Sequence, residues 1–189
     1  MRRLAALAAL TALGGCAALG VHDGVYTSAG GEFSVQEPPL PDVSYRSGYA
    51  YREAFVDFSS GEGDWTRAGG YSLDWFGHEQ AYASDDAFQV DMQRVLPKMA
   101  VNYTEGLFHT VQQGPLQVGG HRAYRLVAEG VRGSTPAWWV ATAFEVGDGV
   151  AVSMLLVPKK SADHDGPVSA EAVPDWGFYP AFTASIRHP

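Results

Sequence analysis

Residues 137–157 read AWWVATAFEVGDGVAVSMLLV, and this stretch decides the fold class. Trp138, Val140, Thr142, Phe144 and Val146 alternate with their neighbours and so share one face of a strand over residues 137–146. Val150, Val152, Met154 and Leu156 do the same over residues 150–157. Between them Gly147-Asp148-Gly149 is a hairpin turn, because Gly and Asp tolerate the positive φ that tight reversals demand. Two adjacent antiparallel strands are therefore expected here. Trp138 and Trp139 are consecutive, so they point to opposite faces: one belongs to the core, and the other lies under a helix or on the surface.

Working outward, further strands are expected over residues 107–113 and, across the turn at Gly119 and Gly120, over residues 118–130. Upstream, Ser84, Asp85 and Asp86 supply a helix start, with side-chain oxygens for free amides and negative charge at the positive end of the dipole. Phe88, Met92, Val95 and Met99 recur at spacings of 4, 3 and 4, which puts one apolar stripe on a helix facing a sheet. Pro97 should kink or shorten it. Tyr71, Leu73 and Trp75 alternate with Ser72 and Asp74 on a half-buried strand. Residues 49–58 (YAYREAFVDF) read as one long aromatic strand, and residues 32–37 as a short one ended by Pro38, Pro39 and Pro41. Residues 59–70 form a Gly-rich loop and residues 158–173 a polar one, the latter long enough to suggest function. Phe178, Phe182 and Ile186, four apart, mark a closing helix.

The order β, β, β, α, four strands, α implies an α+β domain. Its expected form is a mostly antiparallel sheet of about 6–7 strands, an amphipathic helix over about residues 84–103, and a short helix over about residues 177–187, arranged as an α/β/α sandwich. At Val118-Gly-Gly-His-Arg-Ala-Tyr-Arg-Leu-Val-Ala-Glu129 and Phe182-Thr-Ala-Ser-Ile186 the chain resembles the sandwich family of the photosystem II extrinsic subunit PsbP and the Ran-binding protein Mog. Many bacterial members of that group are lipoproteins of unassigned role. Fold alone does not carry function.

The chain has 189 residues, 13 Lys plus Arg against 21 Asp plus Glu, and one Cys, for a net charge of −8. That length suits one domain that needs no disulfide or metal staple. The acidic balance argues against a nucleic-acid partner, which needs clustered Lys and Arg. Arg2 and Arg3 precede a ten-residue stretch of apolar character, residues 4–13, as in a secretory signal. A helix of ten residues reaches only about 15 Å, half of a hydrocarbon core, so it is no permanent span.

Leu13-Gly14-Gly15-Cys16 resembles the lipobox of bacterial lipoproteins. The resemblance implies that residues 1–15 are removed and that Cys16 becomes the first mature residue, carrying a thioether diacylglycerol and an amide-linked chain such as palmitate. As the sole Cys it has no intrachain disulfide partner. The mature chain would keep 11 basic and 21 acidic residues, a net charge of −10. Residues 16–31, small and Gly-rich, are expected to tether a single α+β domain over residues 32–189, with a short strand at Val25–Thr27 within the tether. Ala17 is not the Asp of inner-membrane retention, so in a host with two membranes the outer membrane, facing the periplasm, is the expected address.

Catalytic signatures are missing from the sequence. It holds no G-x-S-x-G elbow, no G-x-x-x-x-G-K loop and no dinucleotide fingerprint after a strand. None of the six histidines, His22, His78, His109, His121, His164 and His188, pairs at i, i+4 on a helix. Asp163, His164 and Asp165 are candidate metal ligands, set against the ordinary fate of a solvated polar loop. His78-Glu79 and Asp85-Asp86 flank a strand-to-helix connection, although capping accounts for the helix-start acids. Trp65 and Trp176 are candidate partner anchors or lids over the core edge. The expectation is a non-enzymatic, lipid-anchored envelope protein without a cofactor, binding or supporting another envelope component through loops 59–70 and 158–173. The alternatives are a small-molecule or metal carrier with a pocket between sheet and helix, and a hydrolase assembled from distant loops.

Overall fold

A computed structural model describes residues 20–50, 52–60, 69–78, 81–104 and 107–189. The elements in chain order are β1 (Gly20–His22), β2 (Val25–Thr27), β3 (Ser34–Gln36), β4 (Ser44–Ala50), β5 (Glu53–Ser59) and β6 (Gly70–Gly77). Then come α1 (Asp85–Thr104), β7 (Leu107–Val118), β8 (His121–Arg132), β9 (Thr135–Val146), β10 (Gly149–Pro158), a 3₁₀ turn (Ala170–Asp175) and α2 (Tyr179–Ser185). Seven strands form one sheet in the order β4-β5-β6-β10-β9-β8-β7, and β1-β2-β3 form a second, smaller one. Every pairing in both is antiparallel. The α+β sandwich expected from the sequence is the observed architecture.

The β9–β10 hairpin sits at the sheet's centre, with Gly149 opposite Val146 and Leu155 opposite Val140, and Gly147 holds a φ of 60° in the turn. Being central, both strands bury both faces, so every residue of β10 is buried. On one face Phe88, Met92, Leu96, Met99 and Ala100 of α1 pack on Leu126, Trp139, Ala141 and Ala143. The alanines make a shallow floor that lets the helix approach closely. Each large side chain removed from water there contributes about 1.5–3 kcal/mol. On the other face the small sheet, the 3₁₀ turn and α2 bring Phe33, Val35, Val173, Tyr179 and Phe182 against Val56, Leu73, Trp138 and Leu155. The consecutive tryptophans thus anchor separate cores.

A buried polar ladder seats α2. The Tyr179 hydroxyl lies 3.0 Å from Thr142 Oγ1 and 3.0 Å from the Ser153 carbonyl oxygen. The Ser153 hydroxyl meets Thr183 Oγ1 at 2.9 Å, and Arg125 Nε donates to Thr142 Oγ1 at 2.9 Å. Polar side chains inside a core stay because each finds such partners.

The structure adjusts four expectations. The segment 16–31 does hold the strand expected at Val25–Thr27, as β2, but it is more than a tether: from Gly20 it pairs into the small sheet, with Tyr26 buried in the core. The three residues of β1, with four glycines nearby, carry too little periodicity to show in sequence. Residues 49–58 are not one strand, because the chain reverses at Arg52, whose φ of 59° supplies the left-handed step that Gly or Asn usually signals. The helix has its expected extent and Pro97 does not shorten it: it continues to Thr104, held past the proline by the buried Met99 and Ala100. Strand β7 runs on through Gly114 and Pro115 to Val118, which an edge position permits since no outer neighbour needs the missing amide.

Candidate functional site

A cluster of ionisable side chains forms where β6 hands over to α1. Ser84 caps the helix, its Oγ accepting the Ala87 amide at 3.1 Å, which places Asp85 at the helix start beside the sheet. Arg122 at the start of β8 and Glu145 near the end of β9 flank the neighbouring pair Ala123 and Phe144. The Arg122 guanidinium donates to Asp85 Oδ1 at 2.7 Å, to Glu145 Oε2 at 2.8 Å and to the Tyr82 carbonyl at 3.2 Å. The Asp85 bond leads in holding the guanidinium charged, with Glu145 adding to it. The ring of Phe88 lies under the same group at 5.5 Å.

Around this clamp sit His78 and Tyr82. The Tyr82 hydroxyl donates to Asp91 Oδ2 at 2.7 Å, and Arg94 reaches Asp91 Oδ1 at 2.6 Å. Burial, reinforced by the Asp91 carboxylate, pushes the Tyr82 phenol up. Burial alone would raise Asp91, but the bonds from Tyr82 and Arg94 outweigh it and hold its carboxyl below the usual range. The His78 ring packs edge-on to Tyr82 at 5.8 Å, with Nε2 3.9 Å from Glu145 Oε1. That separation exceeds a hydrogen bond.

Chemically, the carboxylates of this cluster are already paired, whereas the buried ring nitrogens of His78 have no hydrogen-bond partner among the described residues. A general base needs a carboxylate or imidazole in reach of a substrate proton. Here Asp85 and Glu145 are taken up by Arg122, and Asp91 by Tyr82 and Arg94. The geometry ties the start of α1 to the sheet end. His78 and Asp85, singled out in the sequence, do meet here, whereas Glu79 lies outside the described residues. Arg122 and Glu145 were not singled out, and 23 residues of separation hide a pairing that only the β8–β9 register creates.

The remaining candidates are placed as follows. Cys16, Trp65 and most of loop 59–70 lie outside the described residues. Asp163 and Asp165 are exposed and His164 is half-buried. No group of three His, Cys, Asp or Glu among the described residues could hold a metal ion, so adjacency in sequence does not become a ligand set at 163–165. The loop 158–173 is pinned rather than loose: Lys159 Nζ reaches Glu129 Oε1 at 2.6 Å, and the Trp138 indole donates to the Pro167 carbonyl at 3.1 Å. Trp176 packs half-buried against the core edge.

Two cavities stand out by size. One, of about 430 Å³, reaches from Arg46, Asp57 and Ser72 to Trp139, Met154 and Leu156. There Asp57 takes Arg46 at 2.6 Å and the Ser72 hydroxyl at 2.7 Å. The other, of about 610 Å³, lies beside the small sheet and is lined by Val25, Glu37, Leu40, Val43 and Arg187 among others. No helix among the described residues is long and apolar enough to cross a membrane.

No protein-family description matches the chain, and no curated protein does. Among solved structures, a protein of unknown function from Pseudomonas aeruginosa, titled a putative regulator, aligns at 12% identity over 65% of this chain and 75% of its own. Its TM-score of 0.36 is too low to bear on the fold. The solution structure of the cyanobacterial PsbP protein from Synechocystis is 12% identical, covers 92% of this chain and 98% of that chain, and has a TM-score of 0.58. On that likeness over nearly the whole of both chains, this chain has a PsbP-like fold.

Proposed function

We propose that this is a lipid-anchored, non-catalytic accessory protein of a bacterial cell envelope, binding or supporting another envelope component. In a host with two membranes it sits on the outer membrane and faces the periplasm. The observation that carries the reading is the sole cysteine, Cys16, closing Leu13-Gly14-Gly15 after a basic pair and a short apolar run. Acyl chains there hold the protein durably, since each buried CH₂ contributes about 0.8 kcal/mol and two or three chains exceed the marginal grip of one. An acidic body adds no attraction to anionic lipid. The non-catalytic part is supported by the cluster at His78, Tyr82, Asp85, Arg122 and Glu145, whose carboxylates are paired with Arg122. The PsbP-like fold is compatible with an accessory role.

Mass spectrometry of the amino-terminal peptide tests it, with Cys16 expected as first residue and bearing acyl mass. Cys16→Ser should abolish acylation and move the protein out of the membrane fraction. A Cys16→Ser chain that is cleaved and floats with membranes like the parent refutes the anchor. Crosslinking in intact envelopes followed by purification should return one reproducible partner, and its absence refutes the supporting role.

A further inference from the structure

We propose that the face of the body surrounding Gly20 rests on the lipid surface that carries the anchor. It is built from Val25 of the first hairpin, Leu40 and Val43 of the following segment, and Tyr45 of edge strand β4. This deepens the reading above and rests on Cys16 acylation.

The argument begins with reach. The body starts at Gly20, so only residues 17–19 separate it from Cys16. Four extended steps span at most about 14 Å. The polar layer outside the hydrocarbon is itself about 5–8 Å thick, so little more than a side chain's depth remains between Gly20 and the headgroups. A protein layer does not fit in that gap. Whatever surrounds Gly20 faces lipid.

What surrounds it suits lipid. A Cβ on Gly20 would lie 2.9 Å from the Tyr45 hydroxyl, which fixes the exit point of the chain beside β4. Tyr45 is 46% exposed and Val25 41%, both large apolar side chains that the core leaves out. Leu40 and Val43 are only partly buried, and with Val25 they line one open hollow. Tyrosine, with an apolar ring and a polar tip, is at home at a membrane interface. Asp23, Glu37 and Asp42 also border the patch, against Arg46 and Arg187, so it carries no net positive charge. The contact is therefore driven by apolar burial against a slight like-charge repulsion, so added salt, which screens that repulsion, does not loosen it. The small sheet and α1 lie on opposite faces of the large sheet, which points α1 away from the bilayer.

The test uses the full chain made in a lipoprotein-processing bacterium and reconstituted into phosphatidylethanolamine–phosphatidylglycerol vesicles containing a lipid with a nitroxide near its headgroup. Because thioether formation blocks Cys16, a new cysteine is the one reactive thiol. A fluorophore is placed through Val25→Cys or Tyr45→Cys and, as controls, through Val90→Cys on α1 or Leu107→Cys on the far edge strand β7, which are 68% and 88% exposed. Several-fold stronger quenching at positions 25 and 45 than at 90 and 107 is expected, not weakened by added salt. Equal quenching at all four sites in floated vesicles whose protein bears acyl mass overturns the docking face and leaves the anchor standing. Protein that lacks acyl mass and does not float overturns both. Thermal melts matching the parent confirm that each labelled variant is folded.

Discussion

The polar ladder under α2 makes a sharp prediction, because Tyr179→Phe removes one oxygen and leaves the ring in place. Tyr179 is fully buried, and its hydroxyl lies 3.0 Å from Thr142 Oγ1, 3.0 Å from the Ser153 carbonyl and 3.3 Å from Ser153 Oγ. Losing a net hydrogen bond costs about 0.5–1.5 kcal/mol, and leaving buried acceptors with a donor fewer adds to that, so a loss of about 2 kcal/mol is expected. For a body of this length that lowers the melting temperature by about 4–8 °C. Urea unfolding followed by tryptophan fluorescence measures it, and the slope should stay that of the parent, since the exposed area on unfolding is unchanged. Adding Ser153→Ala should cost less than the sum of the two single changes, because residues in one network couple by about 0.5–3 kcal/mol. A Tyr179→Phe chain within about 0.5 kcal/mol of the parent would refute the claim that this ladder, and not apolar packing alone, seats α2.

Gly166→Ala should destabilise by about 1–3 kcal/mol, the usual cost of overpacking. A Cβ there would meet the Pro158 carbonyl oxygen at 2.0 Å, and backbone on both sides would have to part. A melt unchanged from the parent, with the Trp138 indole proton exchanging no faster, refutes the pinned state of that loop. At high pH, burial raises the phenols of Tyr26, Tyr71, Tyr82, Tyr124 and Tyr179 above their unfolded value. Their stabilisation is whole below about pH 10 and is lost as pH climbs from there through the raised folded values. Urea midpoints should therefore hold up to about pH 10 and fall as pH climbs above it, with these tyrosinates appearing as the chain unfolds. Ionisation of all five in a native chain refutes it.

Legibility in the sequence followed the range of the interactions. The β9–β10 hairpin, the stripe of α1 and the Phe178–Phe182–Ile186 spacing are local patterns, and each element appeared where expected. The reversal at Arg52 did not show, since nothing in its residue type announces a positive φ. Of the small sheet, the strands at Val25–Thr27 and within residues 32–37 showed, but β1 did not: three residues hold too few alternations to rise above a Gly-rich background. At the candidate site, His78 and Asp85 stood out through their neighbours in the chain. Arg122 read as one more strand residue, because its partners lie 23 and 37 residues away.

By itself the sequence determined the composition of the two central strands, the amphipathic helix, the acidic balance and the position of the one cysteine, all properties of residues within a few steps of each other. The tertiary structure alone decided that Trp138 and Trp139 head two different cores, that residues from Gly20 onward join the body, and that Arg122 pairs with both Asp85 and Glu145. These depend on strand order and register. Those are chosen by the free energy of the whole packed sheet, which no short window of sequence contains.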